Sequence, residues 1–533
     1  MAIEISQNAL LVFLAVGVVT YILLTRMLGT MQDPREPPPV SGSIPYIGHV
    51  IGLMRSKFNY YVQLSHQSSL PIFTMTMPGQ KMYIVTTPDL IQAIQKQPKA
   101  LAFPPIEAKF ASKICGSTED AHKILMKNVN GDDGDWGLSM EAYAGMRAAL
   151  SAGPGLDDMN RVMIQNIAAS LDSLKPSPGS HTKIELAKWL RQSVTAATTN
   201  SVYGPQNPFK DLAVADAFWQ FESNLMALLV GILPSLTAHK GLAGRTKVVK
   251  AFEHYFRTDG HKKASILMKN RYETSAKNGV SVEDVARFEV GGAVAILVNT
   301  APAVFWMLLL AYSHPGLVDE LRRDIGEMMT EKTSNGDTIR SLDITSLKTS
   351  CPLLTSTFQE VLRYRSMGTS VRQVMEDTVL DGKWLLKKDC MIQMPSRVIH
   401  KDNSIWGSDV DEFNPRRFMK DEPQKTQSGR RPNATAFRAF GGGTTLCPGR
   451  HFATNEILAV VTMFIMRYDM KPTAGEWSLP TTQNTNVATV VMEPDTDVEV
   501  ELSTRDGFEE GQWAFDLKDS GMVFAVVAED RTE

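Results

Sequence analysis

The chain has 533 residues, 43% of them hydrophobic and 21% charged, an ordinary globular composition with enough length to bury a large core. Its formal net charge of −3 implies no general attraction to nucleic acid or anionic lipid, so any electrostatic function must be local. Four scattered cysteines, Cys115, Cys351, Cys390 and Cys447, form no CxxC pair and argue against a disulfide framework; the first three read as small buried hydrophobes.

Ala9 to Leu24 is apolar and uncharged. A bilayer span needs about 20 mainly apolar residues, so this run is marginal, and Met27 and Leu28 extend it. A cleaved signal peptide would carry a basic segment ahead of the run, but only Glu4 precedes it, while Arg26 and Arg35 follow. The positive-inside rule then leaves the body in the cytosol. Residues 1–30 are thus expected to be a single-pass anchor, suited to the thin membrane of the endoplasmic reticulum. Residues 31–50, with Pro34, Pro37, Pro38, Pro39 and Pro45, are expected to be a proline-rich hinge. Stiff polyproline geometry there would hold the body at a fixed angle to the membrane, and a plain linker fits the same residues.

Residues 51–533 show no internal linker and are expected to form one mainly α-helical domain with small β-sheets. Met82–Thr86 predicts a strand, and Pro88–Gln97, Ile164–Leu174 and Ile184–Val202 predict helices. Phe218 to Leu236 is apolar and is interrupted by Gly231 and Pro234. Core burial is the simple reading of that stretch, and a substrate-entry lip dipping into lipid the functional one. Ser281 to Ala311 predicts one long helix, capped by Ser281 with Asp284 and buried all round at its centre. Further helices are predicted after Pro352 and from Pro448 to Tyr468, and strands within Asp377–Pro395, at Val498–Leu502 and at Met522–Val527.

The most informative stretch runs Phe440-Gly441-Gly442-Gly443-Thr444-Thr445-Leu446-Cys447-Pro448-Gly449-Arg450-His451. Glycines permit positive φ and leave no side chain to block a flat cofactor. Pro448 favours a first helical position, which would put Cys447 at a helix N-terminus, where free N–H groups stabilise a thiolate. A thiolate on haem iron pushes electron density to the metal and favours O–O cleavage. A phosphate loop would need a Gly-Lys-Ser/Thr that is absent here. Cys447 and His451 could share a zinc ion, but two more ligands would be required.

Phe440, Gly443, Cys447 and Gly449 in this order resemble the haem signature of the cytochrome P450 superfamily. One position departs from it: Thr445 stands where the family usually has a basic residue for a haem propionate. Glu360-Val-Leu-Arg363 resembles the family's Glu-x-x-Arg, and Phe413-Asn-Pro-Arg-Arg417-Phe its downstream segment, so the resemblance implies a structural triad of Glu360, Arg363 and Arg417. It also implies haem b as cofactor, with Cys447 as iron ligand, Phe440, Gly441, Gly443 and Gly449 lining it, and Arg372 and Arg147 on the propionates. Arg147 lies in Tyr143-Ala-Gly-Met-Arg147, where Tyr143 replaces the family's Trp.

Asn299-Thr300-Ala301-Pro302 falls mid-way along the long predicted helix. The family usually has an acid followed by an alcohol here, delivering protons during oxygen activation. Asn299 can orient water but cannot donate a proton as a carboxylic acid does. Pro302 removes a helix hydrogen bond at Val298 and opens the helix; a plain structural kink is the other reading. These residues, with the cysteine loop, resemble filamentous-fungal members of the branch that holds sterol 7-alpha-hydroxylases and prostacyclin synthase.

The resemblance implies a monooxygenase of an apolar small molecule, terpenoid, steroid-like or polyketide-derived, in secondary metabolism. Electrons would come from NADPH–cytochrome P450 reductase, and the protein would be a monomer. Arg430, Arg431, Arg438 and Arg450 flank the loop and are candidates to dock the reductase's acidic surface. A haem-thiolate isomerase of a lipid or terpenoid peroxide, a non-catalytic haem carrier and a zinc protein are the alternatives. Asn433-Ala-Thr435 is a glycosylation sequon that a cytosolic body would leave bare.

Overall fold

The structure, a computed structural model, describes residues 32–516 except 43, 45, 177–178, 335–336 and 420–432, together with Val526, Val527 and Asp530. The expected anchor, Arg430, Arg431 and most of the Met522–Val527 strand lie outside the described residues. The chain divides into two compact units. One comprises the residues up to Phe103 with Thr369–Lys401, the other Pro104–Gly368 with the residues from Asp402 onward.

The first unit is built on a sheet ordered Ile72–Met77, Gln80–Val85, Met391–Pro395, Thr369–Val374, Leu101–Ala102. The first two strands form an antiparallel hairpin, with Phe73 opposite Ile84. The strand expected at Met82 starts two residues earlier, because Gly79 at φ +71° closes the turn and lets Gln80 pair with Met77. Pro88 opens the helix Pro88–Gln95 at its first position, as expected. The short strands expected over Asp377–Pro395 are Thr378–Leu380, Trp384–Leu386 and Met391–Pro395.

The proline-rich stretch lies along this sheet. Val40 N–H donates to the Thr74 carbonyl at 3.0 Å, and Thr74 N–H to that of Pro38 at 2.8 Å. Buried Glu36 accepts from Lys81 Nζ at 2.8 Å and from the Tyr83 hydroxyl at 2.6 Å. A helix, Gly48–Ser56, begins before residue 50. From residue 36 to 40 the geometry is that of a strut bonded to a strand.

In the second unit the helices that position the site are, in chain order, α1 (Leu138–Leu150), α2 (Pro154–Asp172), α3 (Leu186–Tyr203), α4 (Leu212–Glu222), α5 (Val282–Leu297), α6 (Thr300–Ser313), α7 (Pro352–Arg365) and α8 (Arg450–Arg467). Two three-stranded sheets accompany them: Tyr468–Pro472, Glu499–Thr504, Thr182–Glu185, and Gln512–Asp516, Asp337–Asp343, Thr330–Ser334. The core runs through α2, α3, α6, α7 and α8, with Trp306, Phe305, Phe358 and Phe464 fully enclosed. Each such side chain contributes about 1.5–3 kcal/mol by leaving water.

Several expected boundaries move for identifiable reasons. Ile184 belongs to a strand rather than to the following helix, because Asp497 caps α3 from far along the chain, accepting from Ala187 N–H at 2.7 Å and Lys188 N–H at 2.9 Å. The single helix expected over 281–311 is two helices. Ser281 does cap the first, accepting from Asp284 N–H at 3.2 Å. The break falls at Val298 and Asn299, where Pro302 has no N–H for the Val298 carbonyl. Burial all round holds for α6, enclosed from Thr300 to Ala311, but not for α5, which exposes Ala295. The 218–236 stretch divides: Phe218 and Phe221 are core, whereas Val230, Ile232, Leu233 and Leu236 face solvent. Cys115 and Cys351 are buried as expected, and Cys390 only partly.

Candidate active site

The cysteine loop is held by backbone geometry. Gly441 at φ +79° and Gly443 at φ +59° occupy the left-handed region that other residues adopt at a cost, while Gly442 is extended. They turn the chain so that Cys447 N–H donates to the Phe440 carbonyl at 2.9 Å. α8 begins at Arg450, two residues later than Pro448 predicts, because Pro448 and Gly449 form a turn with Arg450 N–H on the Cys447 carbonyl at 3.4 Å. Burial holds the thiol above its ordinary range, opposed by the neighbouring backbone of Gly449 and Arg450 and by the Arg450 guanidinium. Tyr143 on α1 donates its hydroxyl to the Leu446 carbonyl at 2.6 Å, tying the loop to the helix that carries Arg147. Arg147 is exposed. Thr445 bonds within the loop, to the Gly442 carbonyl at 3.1 Å.

Elsewhere in the same unit, Glu360, Arg363 and Arg417 form the triad, fully enclosed. Arg363 grips Glu360 through both carboxylate oxygens at 2.7 and 2.8 Å, and Arg417 Nε reaches it at 3.0 Å. Sequence reasoning missed a fourth member: Asp409 takes the other side of Arg417 at 2.9 and 3.1 Å. Burial raises its carboxyl, but Arg417 outweighs this and holds it below the usual range. No local spacing signals Asp409.

At the helix break, Asn299 accepts through Oδ1 from Val490 N–H at 2.7 Å and Val491 N–H at 3.2 Å. Two turns on, Trp306 Nε1 donates to the Met492 carbonyl at 2.6 Å, and Arg365 at the end of α7 stacks 3.7 Å over the Trp306 ring. Thr300 is buried beside Asn299. In the first unit, Arg372 is enclosed on its strand, donating to the Val371 carbonyl at 2.7 Å with the Phe103 ring 5.7 Å away.

Two docking expectations fail. Arg438 and Arg450 are 3% and 4% exposed, and a cation enclosed in the fold cannot meet a partner's surface. Arg450 is instead paired with Asp530 at 2.6 Å. His451, the candidate zinc partner of Cys447, faces Asp530 at 3.6 Å. Asn433 is exposed.

The donor set suits a metal held mainly by a macrocycle. Among the described residues no group of three or more His, Cys, Asp or Glu stands together. Cys447 therefore offers a single sulfur beside glycines, and a Cβ on Gly449 would lie 3.9 Å from it. This fits haem, which asks the protein for one thiolate ligand.

The chain matches the family model for cytochrome P450 over residues 246–499. It is 36% identical over 93% of its length, and 95% of the relative's, to the cytochrome P450 monooxygenase nodJ of Hypoxylon pulicicidum. It is 28% identical to a cytochrome P450 monooxygenase of Gibberella zeae over 92% of this chain and 94% of that one. To cytochrome P450 7B1 of Mus musculus it is 26% identical, over 84% of this chain and 87% of that one.

Proposed function

Since the chain belongs to the cytochrome P450 family, we propose that it hydroxylates or further oxidises an apolar small molecule of terpenoid, steroid-like or polyketide-derived type in secondary metabolism. It is an oxidoreductase, a monooxygenase whose cofactor is haem b. The observation that carries the reading is the cysteine loop: one sulfur on a turn of left-handed glycines, closed by the Cys447 N–H on the Phe440 carbonyl.

When bound, haem supplies oxygen activation, and the thiolate of Cys447 donates electron density to it. Arg147 and Arg372 would be the cations for its propionates, and Phe440, Gly441, Gly443 and Gly449 would line it. Asn299 and Thr300 sit at the opened helix, where Thr300 supplies a hydroxyl for proton movement and Asn299 holds the neighbouring loop. The apolar surface at Val230, Ile232, Leu233 and Leu236 suits contact with lipid, in keeping with an endoplasmic reticulum anchor in residues 1–30 and a cytosolic body. Electrons come from NADPH–cytochrome P450 reductase, and the working form is a monomer.

The test is a reduced carbon monoxide difference spectrum of the full chain, then a metabolite screen with NADPH and reductase. A thiolate-type band lost in Cys447→Ser, and oxygenated products that require reductase, are expected. A colourless protein, or a Cys447→Ser variant with unchanged absorption, sinks the reading. The amide of Asn299 in place of an acid favours one second reading, isomerisation of a peroxide, which would turn over without reductase.

A further inference from the structure

The C-terminal tail reaches the cysteine loop. Asp530 lies 80 residues beyond Arg450, yet its Oδ1 accepts from Arg450 Nε at 2.6 Å and faces His451 Nε2 at 3.6 Å. Its Oδ2 accepts from the N–H groups of Val526 and Val527 at 2.8 and 3.0 Å, so the tail's own backbone orients the carboxylate. Gln359 on α7 holds the Val526 carbonyl at 3.2 Å, which fastens the tail to the helix that carries Glu360. Arg450 touches the backbone of the ligand residue itself. Its Nη1 donates to the Cys447 carbonyl at 3.3 Å, and its own N–H donates to the same carbonyl at 3.4 Å.

A unit charge in so enclosed a place acts strongly, because little water screens it. A carboxylate 2.6 Å from the guanidinium turns that charge into a compact dipole. We propose that Asp530 is a positioning residue for the cysteine ligand: by neutralising Arg450 it keeps an uncompensated positive charge from the Cys447 sulfur, so the tail sets how strongly that sulfur donates to haem. This rests on the haem-thiolate reading. Charge and hydrogen bonding around a ligating sulfur are levers on donor strength and reduction potential. Uncovering Arg450 favours the more negative, reduced state.

The test measures the ferric–ferrous midpoint potential and the reduced carbon monoxide spectrum of the full-length holoprotein. Asp530→Asn, which keeps shape and loses charge, is expected to move the midpoint to more positive potential while the carbon monoxide complex keeps its thiolate band. Asp530→Glu is expected to restore wild-type values, as a merely space-filling role would not. Arg450→Gln combined with Asp530→Asn removes both charges and is expected to return the midpoint toward wild type. A midpoint unmoved in Asp530→Asn, or a double variant shifted as far as the single one, overturns the proposal. If Asp530→Asn yields no haem protein, the double variant decides by the same measure, and failure of both to hold haem overturns it in favour of a purely structural tail. A wild-type protein with no thiolate band would instead refute the underlying reading.

Discussion

The side-chain oxygen of Asn299 is shared by two consecutive backbone N–H groups, those of Val490 and Val491, at 2.7 and 3.2 Å. The amide that replaces an acid at the opened helix thus works as a clamp, joining the break between α5 and α6 to a loop 191 residues further on. Trp306 and Arg365 secure the same loop at Met492.

Asn299→Ala should release that loop. Two hydrogen bonds, each worth about 0.5–1.5 kcal/mol net, are lost, and the Val490 and Val491 amides should exchange hydrogen faster. Asn299→Asp keeps the acceptor and should keep both amides protected. Equal exchange rates in wild type and Asn299→Ala would rule out the clamp.

Glu360→Gln breaks a triad whose three side chains are all enclosed. Arg363 and Arg417 would lose a buried counter-charge, at a cost of about 3–5 kcal/mol. The expected result is a large drop in the midpoint of chemical unfolding and little haem retained per chain. Asp409→Asn should do the same more mildly, since Arg417 keeps Glu360.

Tyr143→Phe removes the hydroxyl that holds the Leu446 carbonyl. About 1 kcal/mol of loop stability goes with it. Haem should dissociate faster into an acceptor such as apomyoglobin while the fold stays intact by circular dichroism. An unchanged dissociation rate would show that the loop needs no such tie.

Glu456 on α8 is fully enclosed, and burial pushes its carboxyl from 4.5 up to about 8, opposed by a hydrogen bond from Thr198. Its folded form therefore keeps a proton that the unfolded chain releases. Between those two values the folded state binds more protons, so this group makes stability fall as pH rises, by about 1.4 kcal/mol per pH unit at most. Glu456→Gln keeps the acceptor for Thr198 and should flatten that slope, leaving the variant more stable than wild type at neutral pH and equal to it below pH 4.5. Unfolding titrations across this range give the comparison.

What was legible in the sequence was local. The glycine run ahead of Cys447, the three-residue spacing of Glu360 and Arg363, the Ser281 cap and the Pro302 break each follow from backbone sterics or helix periodicity within a few residues. Those rules act on neighbours in the chain, so one sequence suffices to read them.

The tertiary structure alone decided which distant groups meet. Asp409 completes the triad, Asp497 caps α3, Asn299 spends its oxygen on Val490 and Val491, and Asp530 buries Arg450, which its position beside the loop suggested as a docking cation. No spacing encodes these pairs. A buried charge or N–H must find a partner wherever the folded chain brings one, and packing of the whole unit chooses which.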